Sequence, residues 1–188
     1  MKKIIIVLAL MCQSLWAYAE QPLNQDLLES YVDVMKKMSE LEIRYPQVMD
    51  KSDQFSISED RSLINFLKSS AAYPDIKKII ASSKFKSLDE FFSISKRIMG
   101  GMYAEHQREM KQQTGITNMN AMMEQGILAM KQSGAPASVI AEMRREMEKE
   151  RAEVKEMDKL AKNISEQDKQ FIRKNMNWLM AHLPEDEQ

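Results

Sequence analysis

A set of sulfur and imidazole side chains recurs at helical spacing in the middle of the chain. Met102, His106 and Met110 follow one another at intervals of four residues, so on an α-helix they share one face. Thioether and imidazole groups suit soft ions such as Cu(I) and Ag(I), which makes a copper site one hypothesis. Methionine is also an adaptable core filler. The simpler interpretation therefore has Met102 in the core, His106 on the surface and no bound cofactor.

A larger group of methionines follows. Residues 99–157 hold ten of the fifteen methionines found beyond residue 19. Long, unbranched thioether side chains adapt to differently shaped apolar partners. We therefore expect a surface that binds other proteins or apolar ligands, in a chaperone-like or adaptor-like manner, with an ordinary methionine-rich core as the competing interpretation. The residues of this expected surface are Met119, Met122, Met123, Met130, Met143, Met147 and Met157.

Sequence signatures of catalysis are sparse. Ser93 and Lys96 match the Ser-x-x-Lys spacing of penicillin-recognising enzymes, but the Ser-Asp-Asn and Lys-Thr-Gly elements that accompany it do not occur. Neither His106 nor His182 has a Glu three residues before it, which excludes the Glu-x-x-His pattern of di-iron bundles. We expect a protein that is not an enzyme, with an uncharacterised hydrolase as the alternative.

Two further features of the segment around His106 concern its surface and its packing. Glu105 and Glu109 fall on one helix face, and carboxylates flanked by basic residues are typical of solvated surface. Gly100 and Gly101 each cost about 1 kcal/mol relative to alanine in a helix interior. The pair therefore indicates a kink or the close approach of another helix.

The first nineteen residues have the organisation of an export signal. Lys2 and Lys3 precede an apolar stretch at residues 4–12, and Ala17-Tyr18-Ala19 forms a small-x-small cleavage site. We expect cleavage after Ala19 and a soluble periplasmic protein. No later segment approaches the roughly 20 apolar residues of a spanning helix, so we expect no stable membrane anchor. Cleavage would also remove the only cysteine, and with it any disulfide.

The net charge bears on the partners of the protein, and the chain length bears on the number of its domains. The formal net charge of −1 provides no basic surface, so we expect no nucleic-acid partner. After the expected cleavage, a chain of about 170 of the 188 residues remains, and a chain of that length buries roughly 70% of its unfolded surface, which suffices for one domain. We therefore predict a helical domain at residues 20–183, followed by an acidic flexible tail at residues 184–188.

Apolar periodicity predicts an all-α fold of about six or seven helices. Capping residues, prolines and glycines mark their ends, and residues 47–56 are predicted to form a loop. The predicted helices cover residues 24–45, a segment opened by Ser56 and Glu59, a short helix with Pro74 in its first turn, and residues 87–115, 117–134, 136–163 and 165–183.

The predicted helix at residues 136–163 has an unusual composition. Fourteen of the 21 residues from 142 to 162 are charged, so only a narrow edge of the helix is apolar. Such a helix is typical of a protruding coiled-coil hairpin arm, or of a homodimer through residues 136–164. The apolar edge follows heptad spacing at Ile140, Met143, Met147, Val154, Met157, Ala161 and Ile164, with a break at Glu150.

The general layout of an exported, methionine-rich helical chain without a mature cysteine resembles the small periplasmic stress chaperones of the Spy type. That resemblance implies a helical protein that binds other proteins. The Leu-Thr-x-x-Gln signature of that family is absent, and the nearest string, residues 116–120, differs from it at both ends. No functional residue is carried over from the family.

Overall fold

Eight α-helices form the fold in the part of the chain that the computed structural model describes, which is residues 21–184 with gaps at 53, 57–58 and 116–118. No strand occurs in that part, so the all-α prediction is confirmed. The helices are α1 Gln25–Arg44, α2 Pro46–Ser52, α3 Asp60–Ser69, α4 Tyr73–Ala81, α5 Leu88–Thr114, α6 Met119–Gln132, α7 Ala137–Asn163 and α8 Glu166–His182.

The ends of the long helices follow the local signals in the sequence. The side chains of Ser87 and Ser165 accept hydrogen bonds from the backbone N–H three residues later, which caps α5 and α8. Gly115 and Gly134 adopt φ values of 72° and 77° just beyond α5 and α6, in the left-handed region that glycine tolerates. These predicted boundaries are confirmed, whereas the predicted cap Thr117 lies outside the described residues.

The segment predicted as a loop at residues 47–56 contains a short helix instead. Pro46 opens α2, where its fixed φ and missing N–H suit the first turn of a helix. The backbone N–H groups of Val48 and Met49 both donate to the carbonyl of Tyr45, at 2.9 and 3.1 Å. Seven residues are too few for a clear apolar period, which explains why the pattern alone did not reveal this helix.

The main core lies where α1, α3, α4, α5 and α8 meet. Its members come from the apolar faces of these helices and from the connections between them, so burial there accounts for most of the stabilisation of the body. The largest fully buried side chains are Tyr31, Leu28, Leu41, Ile76, Ile98, Ile172, Leu179 and Val34.

The glycine pair in α5 lets two helices approach closely. A Cβ atom on Gly100 would lie 2.8 Å from Cγ1 of Ile164, the residue that follows α7, and one on Gly101 would lie 2.8 Å from Cγ1 of Ile172 on α8. Helix α5 continues through both glycines to Thr114. Of the two predicted alternatives, the close approach is therefore the one observed.

Helix α7 folds back along α5 of the same chain. The Tyr103 hydroxyl and the Gln107 amide donate to one carboxylate oxygen of Asp158, at 3.0 and 2.6 Å. Farther along α7, Arg151 pairs with Glu124 of α6. The hydrogen bonds of Asp158 thus tie α7 to α5, the Arg151–Glu124 pair ties α7 to α6 within the hairpin, and the apolar edge of α7 faces inward. All the described members of that edge are buried or partly buried, while the side chain of Glu150 lies outside the described residues.

Candidate functional site

An apolar pocket of about 350 Å³, termed here the methionine pocket, opens between α1, α2, α3 and α5. Pockets that take small molecules commonly measure about 300–1,000 Å³ and are lined mainly by apolar side chains. Four methionines and three phenylalanines contribute to its wall, so thioether and aromatic groups dominate the lining. The apolar side chains that line it are Met35, Met38, Met49, Met99, Phe55, Phe91, Phe92, Leu63, Leu67, Ile76 and Pro184.

Helical spacing explains why these side chains converge. Met35 and Met38 lie one turn apart on α1, and Phe92 and Met99 lie seven residues apart on α5, so each pair shares a face. The part of the wall formed by α5 is firm because Phe91 is buried and packs edge-on against Phe92, with ring centroids 5.6 Å apart. The four methionines are partly buried, and their flexible side chains can adjust to a ligand.

The two serines that line the pocket have hydroxyl groups that are already hydrogen-bonded to the backbone. The hydroxyl of Ser39 donates to the carbonyl of Lys36 at 2.9 Å, and that of Ser52 donates to the carbonyl of Met49 at 2.7 Å. Among the described residues that line the pocket, Glu42 is the one that carries a charge, and it is exposed. The pocket therefore suits an apolar group that is recognised by shape, with a carboxylate at its mouth.

Comparison with known proteins yields no relative. No family model, curated protein or solved structure matches this chain. Within the described residues, no helix is both long and apolar enough to cross a membrane. The geometry of the pocket is therefore the basis for assigning a function.

The methionines of the predicted binding surface are spread along the α6–α7 hairpin. Met122 is exposed, whereas Met147 is only 6% exposed and belongs to the interior packing of the hairpin. Met123, Met130, Met143 and Met157 are partly buried, and the side chain of Met119 lies outside the described residues. The methionine pocket lies in the body of the protein and, apart from Met99, uses none of residues 99–157.

The three residues of the hypothetical copper site differ in exposure. His106 is exposed, Met102 is partly buried and Met110 is only 7% exposed. In the described part of the chain, no three His, Cys, Asp or Glu side chains are grouped so that they could hold a metal ion. The spacing on α5 therefore brings the three residues to one side of the helix without giving them a common environment.

The prediction of a solvated carboxylate pair on α5 is wrong for Glu105 and right for Glu109. Glu109 is exposed, but Glu105 is only 3% exposed and accepts hydrogen bonds from Arg108 at 2.9 Å and from Arg173 at 2.8 Å. The hydrogen bond from Arg108, followed by that from Arg173, lowers the pKa of Glu105 below its usual value. Arg173 lies on α8, so this carboxylate joins two helices.

A buried ion pair, missed in the sequence, lies near the first residues of α8. Nε and Nη2 of Arg97 donate to the carboxylate of Asp168, each at 2.9 Å, and both side chains are buried. The backbone N–H of Leu23 donates to the same carboxylate at 3.1 Å. The only sequence signal was the position of Asp168 three residues after Ser165, which indicated a helix cap and nothing about Arg97.

The Ser-x-x-Lys spacing also receives a structural explanation. The ammonium group of Lys96 donates to the carboxylate of Asp60 at 2.7 Å, which ties α5 to α3. This hydrogen bond lowers the pKa of Asp60. Lys96 is thus engaged in a salt bridge that links two helices.

Proposed function

We propose that the protein is a non-enzymatic binding protein that takes the apolar part of a small amphiphile into the methionine pocket. One observation carries this proposal: a pocket of about 350 Å³ is lined by thioether and phenyl groups, and its serine hydroxyls are already bonded to the backbone. Such a wall offers dispersion and desolvation to a ligand, with little hydrogen bonding. We therefore expect a ligand whose affinity comes mainly from the size and shape of its apolar part.

The mouth of the pocket favours one charge type for the polar end of the ligand. Glu42 is exposed and places a carboxylate there. A negatively charged head group beside this carboxylate is disfavoured. A positively charged head group is favoured by a modest amount, because the site is solvated. We therefore propose amphiphiles with a neutral or cationic head group.

Occupancy of the pocket can be tested with the uncharged fluorophore N-phenylnaphthylamine, whose emission rises in apolar surroundings. Ser39→Trp should abolish binding, since Ser39 lines the pocket and an indole would fill it. Ser69→Trp is the matched control, because Ser69 is exposed on α3 and its hydroxyl likewise donates to the carbonyl three residues earlier, at 2.8 Å. Equal binding by both variants would contradict the proposed site.

Head-group preference can be tested by displacing the fluorophore with decyltrimethylammonium or decyl sulfate below their micelle concentrations. We expect the cationic competitor to displace it at concentrations lower by about twofold to fivefold, as for a single exposed charge pair. Glu42→Gln should remove the difference while leaving binding of the uncharged fluorophore intact. A stronger effect of the sulfate would contradict the assignment of ligand charge.

A second candidate function is the binding of partly unfolded proteins by the α6–α7 hairpin. It is supported by apolar side chains that the hairpin exposes, among them Met122, Leu128 and Val139. Met122→Glu with Leu128→Glu should then reduce the ability of the protein to suppress aggregation of reduced lysozyme. Ile43→Glu is the control, because Ile43 is 87% exposed on α1, outside the hairpin. Equal suppression by both variants would argue against a hairpin surface.

Export and self-association complete the proposal. We propose a periplasmic location with cleavage after Ala19, which N-terminal sequencing of the protein purified from its natural host would test. A homodimer through residues 136–164 would have to use surfaces of α7 other than its apolar edge, because that edge packs within the chain. Sedimentation of the mature protein would decide between monomer and dimer.

A further inference from the structure

We propose that the methionine pocket is a site of reversible methionine oxidation, and that sulfoxide formation there releases the apolar ligand. The modification itself is inferred from the placement of four side chains, while its consequence for the ligand rests on the proposed function. Those side chains come from three helices: Met35 and Met38 from α1, Met49 from α2 and Met99 from α5.

The four pocket methionines are accessible to a small oxidant. Each is partly buried and lines a space large enough for a small ligand, so hydrogen peroxide can reach the sulfur atoms. Met110 and Met147 provide internal references, because they are only 7% and 6% exposed. We therefore expect the pocket methionines to react before these two.

The chemistry is a two-electron oxygen transfer from a peroxide. A lone pair of the thioether sulfur attacks one peroxide oxygen, the O–O bond breaks, and the departing hydroxide takes up the remaining proton and leaves as water. The sulfur is oxidised to the sulfoxide while the peroxide is reduced. Reductases of the methionine sulfoxide class restore the thioether, so the modification is reversible.

The described side chains of the pocket wall offer no free hydrogen-bond donor to a sulfoxide oxygen. Among the described lining residues, the hydroxyls of Ser39 and Ser52 already donate to backbone carbonyls, and Glu42 carries a carboxylate that only accepts when ionised. The new S–O dipoles must therefore turn toward water or stay unsatisfied, and both outcomes remove the apolar wall. Because the four methionines come from three helices, their oxidation alters the contribution of each of these helices to the wall.

The experiment combines peptide mass spectrometry with fluorophore binding on the mature protein. Limiting hydrogen peroxide should oxidise the four pocket methionines ahead of Met110 and Met147, and should weaken binding of N-phenylnaphthylamine by about tenfold or more. A variant with leucine at all four pocket positions should keep its affinity after the same treatment, since leucine conserves volume and does not oxidise. Two double variants, Met35→Leu/Met38→Leu and Met49→Leu/Met99→Leu, provide partial protection should the fourfold variant fold poorly.

Each result decides a separate part of the proposal. Equal oxidation rates for the pocket and reference methionines would overturn the modification site. Full oxidation without a loss of affinity, or the same loss in the leucine variants, would overturn the link to ligand release. If the unoxidised protein binds no fluorophore, the proposed function and the release of ligand fail together, and the order of oxidation still decides the modification site.

Discussion

The Arg97 guanidinium and the Asp168 carboxylate form a buried two-bond ion pair between α5 and α8, and the backbone of Leu23 is bound to the same carboxylate. Three separate parts of the chain therefore meet at one charge pair. Such an arrangement fixes the residues before α1 against the two helices that carry much of the core. A buried pair of this kind makes the structure sensitive to loss of either partner, because the remaining charge stays desolvated.

We predict that Asp168→Asn lowers the free energy of unfolding by about 3–5 kcal/mol, since it leaves the Arg97 guanidinium buried without its counter-charge. Urea denaturation followed by circular dichroism provides the measurement. The double variant Arg97→Met/Asp168→Asn should recover part of the loss, because both charges are gone and the asparagine oxygen can still accept from Leu23. Glu166→Gln, at an exposed pair with Lys169, is the control. A loss below about 1 kcal/mol for Asp168→Asn would show that the pair contributes little.

Gly101→Ala should destabilise the protein by about 1–3 kcal/mol because the new methyl group overpacks the interface between α5 and α8. The added Cβ would meet three atoms of Ile172, at 2.8, 3.2 and 3.5 Å, and Ile172 is completely buried. Gly126→Ala is a matched control in α6, where nothing other than the nearby backbone of α6 itself lies within 4 Å of the added carbon. It should stabilise the protein by about 0.5–1 kcal/mol through helix propensity. Equal shifts in thermal midpoint for the two variants would refute the close-approach explanation.

Sequence patterns predicted the structural features that depend on residues close together in the chain. The caps at Ser87 and Ser165 and the stops at Gly115 and Gly134 depend on residues within one turn, and the structure places the helix ends there. The features that the sequence did not predict depend on residues that lie far apart in the chain. Arg97 meets Asp168 across 71 positions, and the methionine pocket gathers side chains from several helices and from the connections between them. The concentration of methionine at residues 99–157 pointed to the hairpin instead, because composition carries no information on which side chains converge.

The lowered pKa of Glu105 predicts a specific acid sensitivity. Its two arginine partners favour the ionised form in the folded state, so it stabilises the protein at pH values above about 4.5, its ordinary pKa. This contribution is lost as the pH falls through the lower, folded-state pKa. Glu105→Gln should therefore cost about 2 kcal/mol at neutral pH and flatten the decline of stability below pH 4.5. Arg173→Met, which removes one of the two partners, should give an intermediate curve. Urea denaturation at a series of pH values measures this decline. If the free energy of unfolding falls equally below pH 4.5 in the wild type and in Glu105→Gln, Glu105 is not the source of the acid sensitivity.

Titration with Cu(I) under reducing conditions tests whether His106 and Met110 on α5 bind a metal ion. Met110 is nearly buried while His106 is exposed, so we expect His106→Leu to leave any copper uptake unchanged. Met110→Leu should conserve core volume and alter stability by less than about 1.5 kcal/mol. Competition with a chromogenic Cu(I) chelator measures the uptake, and urea denaturation measures the stability. Tight, stoichiometric copper binding that disappears in both variants would instead establish a site built from these residues, and would require the Met110 sulfur to turn out of the packing it now occupies.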